Sequence, residues 1–449
     1  MLFSSGVWQV FRSRFKVEPK RSRRSVLIHG MNYAPEFIGV GKYTSELAAH
    51  LAARDHAVEV VAALPHYPSW TVQSRSRWRF ATRWEAGVRI TRCPLLARPG
   101  GGIWRLVAPL SFALAAAPSV VWRAVRSRPQ TVLCIEPTLL AAPAALLAAR
   151  LVGARTVLHV QDLELDAALA TGYLGRVTPL SRLARGFEGA MRRRFDAVIT
   201  ISDAMAARLR DQVAPTPVGV LRNWVHPARL APSVTVDVMR RRLGIPSNCR
   251  LALYAGNLGA KQGLAVLMEA ARHLRADPSI RILVVGDGVM AGAVRAAAAA
   301  LPNLTSVGLL PADQLGDLLA AADLHILPQD KAASDLVFPS KLGPLLRTGR
   351  PIVVTAEPCS ELALWLGGAA LRCRPGDGRA LAATILDGLR RTGSTDPDRA
   401  AMLLASLDAA AILPAFEHRL TLPEAVVAGP SRVGPAGALS PTPGSAALA

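Results

Sequence analysis

The sequence predicts an α/β protein of two βα domains that face each other. Three observations point there. The chain has 449 residues, too many for one ordinary hydrophobic core and suited to two. Short apolar runs that stop at loops alternate with stretches whose apolar positions recur at helical spacing. That order builds parallel sheets through right-handed crossovers. The alternation then restarts at Arg250. Composition agrees: 51% of residues are apolar but only 5% aromatic. Alanine, leucine and valine are left to fill the interior, as helix-covered sheets require.

The first strand is expected at Ser25-Val26-Leu27-Ile28-His29-Gly30, an apolar run ending in a loop. A helix over 42–54 comes next, then strands at 58–63, 131–135, 155–160 and 196–202. After the restart, strands are expected at 251–255, 280–285, 304–307, 324–327 and 351–355. Helices over 263–275, 291–300, 312–322 and 341–348 separate them. The hinge is placed near 223–243, giving an N-terminal domain over 25–225 and a C-terminal domain over 240–420. Residues 428–449 hold Gly, Pro, Ser and Ala with one charge, Arg432, and are expected to be a disordered tail.

Lys plus Arg number 53 against 32 for Asp plus Glu, a net charge of +21. Such an excess speaks of partners: nucleic acid, an anionic membrane surface or phosphorylated substrates. Basic composition by itself is the plainer source. Aromatic interleaving and nucleic-acid motifs are absent, which ranks nucleic acid last. Cys93, Cys134, Cys249, Cys359 and Cys373 are widely spaced, odd in number and without CxxC. This argues against a disulfide framework or a zinc site. Residues 1–24 place Phe3, Val7, Trp8, Phe11 and Phe15 among seven basic residues. This basic extension is either disordered or an amphipathic helix on a membrane. From Leu106 to Trp122 there is no charge, Arg105 and Arg123 flank the run, and Trp104 and Trp122 stand at its ends. Pro109 and Pro118 interrupt it and its length is marginal for a span. The 104–122 segment therefore reads as a membrane-contact helix at headgroup depth, against the alternative of a core helix over the first sheet.

In open α/β sheets ligands bind beyond the carboxyl ends of strands. After the first strand, Gly39 and Gly41 precede a helix, where backbone amides can approach an anion. The spacing is not the GxGxxG fingerprint, and no acid comes after the next strand to hold a ribose. A tight turn is the structural alternative. After 251–255 come Gly256, Asn257, Gly259, Lys261 and Gly263, with the lysine placed to set a point charge against a diphosphate. Gly286-Asp287-Gly288 allows close approach to a base or ribose. Asp335, Phe338, Ser340 and Lys341 open a further helix whose amides can meet a second phosphate. Three such loops on one edge point to a phosphate site.

The motif order resembles a known family. Tyr33-Ala34-Pro35-Glu36, Gly39-Val40-Gly41-Lys42-Tyr43, His66-Tyr67-Pro68, His159-Val160-Gln161-Asp162, Ile201-Ser202, Asn223-Trp224, the 256–264 loop and Pro339-Ser340-Lys341-Leu342 look like the colanic-acid branch of retaining GT-B glycosyltransferases, family 4. The resemblance runs from about residue 25 to 420. It implies two Rossmann-like domains across a cleft, a nucleotide-diphosphate sugar as co-substrate, no metal or cofactor, and a polyprenyl-diphosphate-linked glycan as acceptor. It also implies work in surface polysaccharide assembly at the cytoplasmic face of the inner membrane.

Carried over, Gly39 and Gly41 would face the donor diphosphate and Lys261 would neutralise the leaving nucleotide, the main electrostatic demand of the reaction. Asp162 and His159 would meet the acceptor, with Asp162 orienting it while the donor phosphate takes its proton. The structural alternatives are a core histidine and a helix N-cap. One departure stands out. Two glutamates normally flank the last phosphate-binding helix, the second on the donor ribose. Here the second position is Pro344 and the first falls at or beside Asp335. Glu357 and Glu361 are the candidate substitutes. Two alternatives stay open beside the enzyme: a catalytically impaired scaffold of polysaccharide assembly, which Pro344 favours, and a sugar-nucleotide epimerase of similar architecture.

Overall fold

The computed structural model describes residues 23–421 except 37–38, 68–70, 73–77, 99–103, 138, 164–178, 227–229, 334 and 337. The basic extension, apart from its last two residues, and the 428–449 tail lie outside the described residues. So do the side chains of Trp104 and Arg105.

The first half runs β1 (Ser25–His29), α1 (Val40–Ala53), β2 (Ala57–Ala63), β3 (Ala81–Glu85), β4 (Val88–Cys93), α2 (Trp104–Ser127), β5 (Thr131–Glu136), α3 (Ala142–Val152), β6 (Arg155–Val160), α4 (Pro179–Arg192), β7 (Ala197–Thr200), α5 (Asp203–Val213) and β8 (Val218–Val220). The second half runs α6 (Val236–Arg242), β9 (Arg250–Ala255), α7 (Leu264–His273), β10 (Ile280–Val285), α8 (Ala291–Ala300), β11 (Leu304–Val307), α9 (Leu315–Ala320), β12 (Leu324–Leu327), α10 (Leu342–Arg347), β13 (Ile352–Thr355), α11 (Glu361–Leu366), β14 (Leu371–Cys373), α12 (Gly378–Leu389), α13 (Pro397–Ser406) and α14 (Ala409–Thr421).

These strands form two sheets. The first has the order β3-β4-β2-β1-β5-β6-β7-β8 and is parallel except at the antiparallel β3–β4 hairpin. The second, β11-β10-β9-β12-β13-β14, is parallel throughout. Central strands such as β5 are buried at every residue, so their sequences are near-continuous apolar runs. In each sheet the order reverses beside its first strand, at β1/β5 and β9/β12. That opens a crevice at the carboxyl ends. The β3–β4 hairpin had no expected counterpart. Its turn, Ala86-Gly87, has both residues at positive φ, as a type I′ turn demands. Its outer strand β3 is almost wholly exposed and carries no apolar alternation to read.

Two boundaries differ from expectation. The last helix, α14, was expected in the C-terminal domain, but it packs on the first sheet. Ile412, Leu413, Phe416 and Leu420 join Leu133, Ile135, Val157 and Ile199 in one cluster. Glu417 meets Arg54 at 2.7 Å and His56 at 3.1 Å, while Thr131 Oγ1 donates to the Leu420 carbonyl at 2.8 Å. Apolar spacing cannot say which sheet a helix covers. The hinge is also shorter than 223–243. Ser233 and Val234 donate their N–H groups to Asp317, and Arg240 pairs with Asp323, so that segment already belongs to the second unit. The crossing itself lies at Val225, which bridges to Asp408 on the returning chain.

Helix α2 extends beyond the expected segment, and one side of it is core over the first sheet. Ala108, Phe112, Ala116, Val120 and Ala124 are buried against the first sheet, and the opposite side is exposed.

Phe416 is fully buried, edge-on to Trp224 and His159 at centroid distances of 5.9 and 4.9 Å. Phe416→Ala is expected to destabilise the first domain by about 3–5 kcal/mol, the usual cost of such a cavity. Urea titration followed by tryptophan fluorescence measures it; an unchanged midpoint would show that α14 does not hold the domain together.

Candidate functional site in the cleft

The site is built from the loops at the carboxyl ends of β1, β6, β9, β10, β12 and β13. Gly39 takes φ 63° as it caps α1, a left-handed geometry natural to glycine. Gly41 faces Glu36: an added Cβ would sit 3.0 Å from the Glu36 Cβ. The Glu36 carboxylate is buried and accepts the N–H groups of His66 and Tyr67 at 3.0 and 3.1 Å and the Asn32 amide at 2.9 Å. Gly41 therefore leaves room for a carboxylate that ties the β1 and β2 loops together.

In the second domain the glycine loops pack on one another. A Cβ at Gly286 would lie 1.9 Å from the Gly256 carbonyl oxygen. One at Gly288 would lie 2.7 Å from Asn257 Oδ1, and one at Gly256 would lie 2.3 Å from Lys341 Cε. Leu258 N–H donates to the Asp287 carbonyl at 2.8 Å, locking the two turns. Asn257 and Asp287 stay exposed at the rim.

Two lysines stand on this platform, held in different ways. Lys261 reaches across the cleft to Asp162, with Nζ 3.2 and 3.3 Å from its two carboxylate oxygens. Burial holds the Asp162 carboxyl above the usual carboxylate range, and Lys261 only partly offsets it. Lys341 meets no carboxylate among the described residues. Its Nζ donates to the Tyr254 hydroxyl at 2.7 Å and to Gln262 Oε1 at 3.3 Å, and lies 4.1 Å from the Tyr254 ring centroid. Burial without a counter-charge pushes its pKa down to about 7. Such a cation is ready for an entering anion.

Other expected residues lie elsewhere. His159 is not at the cleft. It is buried against Phe416, and burial drops its pKa to about 3, so the core-histidine alternative describes it. Glu361 is not free for a ribose. Its oxygens accept the Asp203 and Ala204 N–H groups at 2.9 and 2.8 Å, and Oε1 accepts Arg222 Nη1 at 2.8 Å. Burial pushes its carboxyl up, but these N–H groups and the Arg222 guanidinium outweigh that and hold it below the usual range. It caps the first-domain helix α5 from the second domain. Asp335, at φ 58°, accepts the Glu361 N–H at 2.8 Å and so orients that latch. Phe338 packs edge-on to Trp365 at 5.4 Å under the Arg222 guanidinium. Ser340 hydrogen-bonds Tyr43 of α1 across the cleft. Pro344 falls in the first turn of α10, where its missing N–H costs no helical bond. The cross-cleft roles of Tyr43, Arg222 and Glu361 were not legible, since each is defined by a partner over 100 residues away. Lys341 was legible from the Pro-Ser-Lys motif, but its lack of a counter-ion was not.

Comparison with known proteins agrees with this arrangement. A family model for the glycosyl transferase 4-like domain matches residues 39–224, and one for glycosyl transferases group 1 matches 249–391. The chain is 39% identical over 349 residues to the colanic acid biosynthesis glycosyl transferase WcaI of Escherichia coli, covering 75% of this chain and 84% of that protein. The fold resembles sucrose-phosphate synthase from Thermosynechococcus elongatus, with a TM-score of 0.69 at 16% identity over 88% of this chain and 98% of that one. It also resembles Anabaena HepE in complex with UDP and glucose, with a TM-score of 0.64 at 16% identity over 89% and 99%. Two facing parallel-sheet domains with a lysine-bearing cleft define a GT-B glycosyltransferase. Within that class the chain belongs to family 4, in the colanic acid and exopolysaccharide biosynthesis group.

Lys341 carries a pH signature. Its pKa in the fold lies below its ordinary 10.5. The protonated form therefore weighs against the fold below pH 7, and that cost fades as pH rises toward the unfolded value. Between pH 7 and 10 the Tm of the wild type relative to Lys341→Met should rise by roughly 2 °C or more, the response to about 1 kcal/mol in a domain of this size. A flat difference in differential scanning fluorimetry would show that water already solvates the ammonium.

Proposed function

We propose that the protein transfers a hexose or deoxyhexose, with retention at the anomeric carbon, from a nucleotide-diphosphate sugar to a glycan on a polyprenyl diphosphate. The work is done peripherally, at the cytoplasmic face of the inner membrane. The observation that carries this is the pair of lysines on the glycine platform, one facing Asp162 and the other with no counter-ion among the described residues. A departing nucleoside diphosphate gains charge as its bond to the sugar breaks. Fixed positive groups aimed at it stabilise that transition state more than the ground state.

Lys341 is where the diphosphate settles, because a buried cation without an acid gains most from an anion. The diphosphate then competes with Asp162 for Lys261. Asp162, released, is left at the carboxyl end of β6 to orient the acceptor hydroxyl. The donor phosphate takes the acceptor proton, so no protein base is required. The HepE structures hold UDP and UDP-glucose in a fold of this kind, and this supports a uridine or related nucleotide here. No metal is invoked, since the lysines supply the charge.

A second reading has one observation behind it. Position 344 is a proline and Glu361 is taken up by α5 and Arg222, while the other substitute, Glu357, lies outside those contacts and pairs with Lys331 at 3.4 Å. That fits a scaffold that has lost donor binding. One experiment separates the two. A thermal-shift screen with UDP, GDP and their sugars should raise Tm for one base series, because a ligand that binds only the native state stabilises it. With the matching sugar nucleotide, Lys261→Ala should lower the rate of nucleotide release about 10²–10³-fold. No Tm response to any nucleotide would favour the scaffold, and wild-type release by the variant would sink the role given to Lys261.

A further inference from the structure

Helix α2 is apolar on two sides. Its inner stripe is core. Its outer stripe, Leu106, Leu110, Leu114, Trp122 and Val125, recurs at helical spacing with each residue 48–69% exposed. A helix at a water surface places polar residues on that side. The adjacent α3 repeats the pattern, with Leu147 and Leu151 more than half exposed. The two helices pack side by side, so their outer stripes join into one face. Between them runs a groove of about 590 Å³, floored by Ala117, Pro118 and Ala144 and walled by Leu114, Trp122 and Leu147. Its small floor residues keep it open.

Charge selects the occupant. Between Glu85 and Glu136 there is no acid, against seven arginines, of which Arg92 and Arg123 are buried and bonded within the domain, leaving Arg89, Arg98, Arg105, Arg126 and Arg128. Helix α3 has no acid either. Arg126 and Arg128 at the end of α2, and Arg150 at the end of α3, are exposed along one border of the face. The Trp122 ring sits at that border with the Arg123 guanidinium 4.6 Å from its centroid. An apolar face with a basic border and a tryptophan between them matches the layering of an anionic bilayer, hydrocarbon below and phosphate above. A second copy of the chain offers no acid on these helices to answer the arginines.

We propose that the joined outer face of α2 and α3 docks on an anionic phospholipid bilayer, with the groove receiving one hydrocarbon chain of a lipid. The docking unit is a two-helix surface rather than the single segment that hydropathy marks. Both helices start at the carboxyl edge of the first sheet, after β4 and β5, and end at its amino edge. The face therefore runs from beside the cleft, where the helices begin, to the basic border, where they end. The proposal deepens the reading of a lipid-carried acceptor and rests on that reading for its purpose; its evidence is the face itself.

The test uses the full chain in flotation with vesicles of phosphatidylglycerol and phosphatidylethanolamine, and with phosphatidylcholine alone. The wild type should float with the anionic vesicles. Binding should fall at least tenfold on phosphatidylcholine, and likewise for Leu114→Glu/Leu147→Glu on the anionic vesicles. Both leucines are exposed, so the double variant should keep the wild-type Tm. It should also keep the wild-type Tm response to nucleotide, which reads the donor site separately. Equal flotation of the double variant, or no flotation of the wild type, would overturn the docking surface while leaving sugar transfer standing. So would a dimer in light scattering that the double variant dissolves. Milder single variants, Leu114→Ser and Arg126→Ser, should each weaken flotation severalfold if the double variant folds poorly.

Discussion

The chain leaves its first sheet at Val225 and comes back at Asp408, and the two crossings are bonded to each other. Val225 N–H donates to the Leu407 carbonyl at 2.8 Å, and Ala409 N–H donates to the Val225 carbonyl at 2.9 Å. Past this point α14 is anchored in the first domain by Phe416 and by the Glu417 cluster. Both connections between the sheets thus run through one place, and their carboxyl edges are set against each other there. Helix α10 rests on the crossing: a Cβ on Gly343 would come within 2.9 Å of the Val225 Cβ. The Lys341 loop, which leads into α10, is therefore placed by the hinge itself.

Lys261, Arg222 and Lys341 line the cleft, and each is kept by a different device. Lys261 is matched by Asp162 from the opposite domain. Arg222 is matched by Glu361 and Asp203, and its guanidinium also covers Phe338. Lys341 is matched by nothing charged among the described residues, and its ammonium rests on a tyrosine. The Lys261–Asp162 and Arg222–Glu361 pairs bridge domains, so they are geometric fasteners as much as electrostatic ones. An entering dianion gains most at the cation without a partner and must displace a carboxylate at Lys261.

Glycine had two meanings on this chain. At Gly39 the left-handed backbone is the reason for the residue. At Gly256, Gly286 and Gly288 the close neighbours are protein atoms, since the loops after β9 and β10 interlock. A glycine-rich loop invites a ligand by leaving backbone accessible, but it also lets two loops share one small volume. Here the second effect makes the platform and the lysines make the site.

Apolar run length and helical spacing by themselves determined most of the strands and helices, because β9, β10 and α1 each obey a local period. The restart at Arg250 determined the two domains, and the order of short motifs determined the family. They also marked Lys261, Asp162 and Lys341, because their loops come directly after strands or open a helix. Tertiary structure decided the rest. It moved α14 to the first domain, put His159 beneath Phe416, turned Glu361 into a cap on α5, and left Lys341 with no counter-ion among the described residues. A local pattern reports which face of an element is apolar; the partner of that face, or of a buried charge, is chosen only when residues far apart in the chain meet.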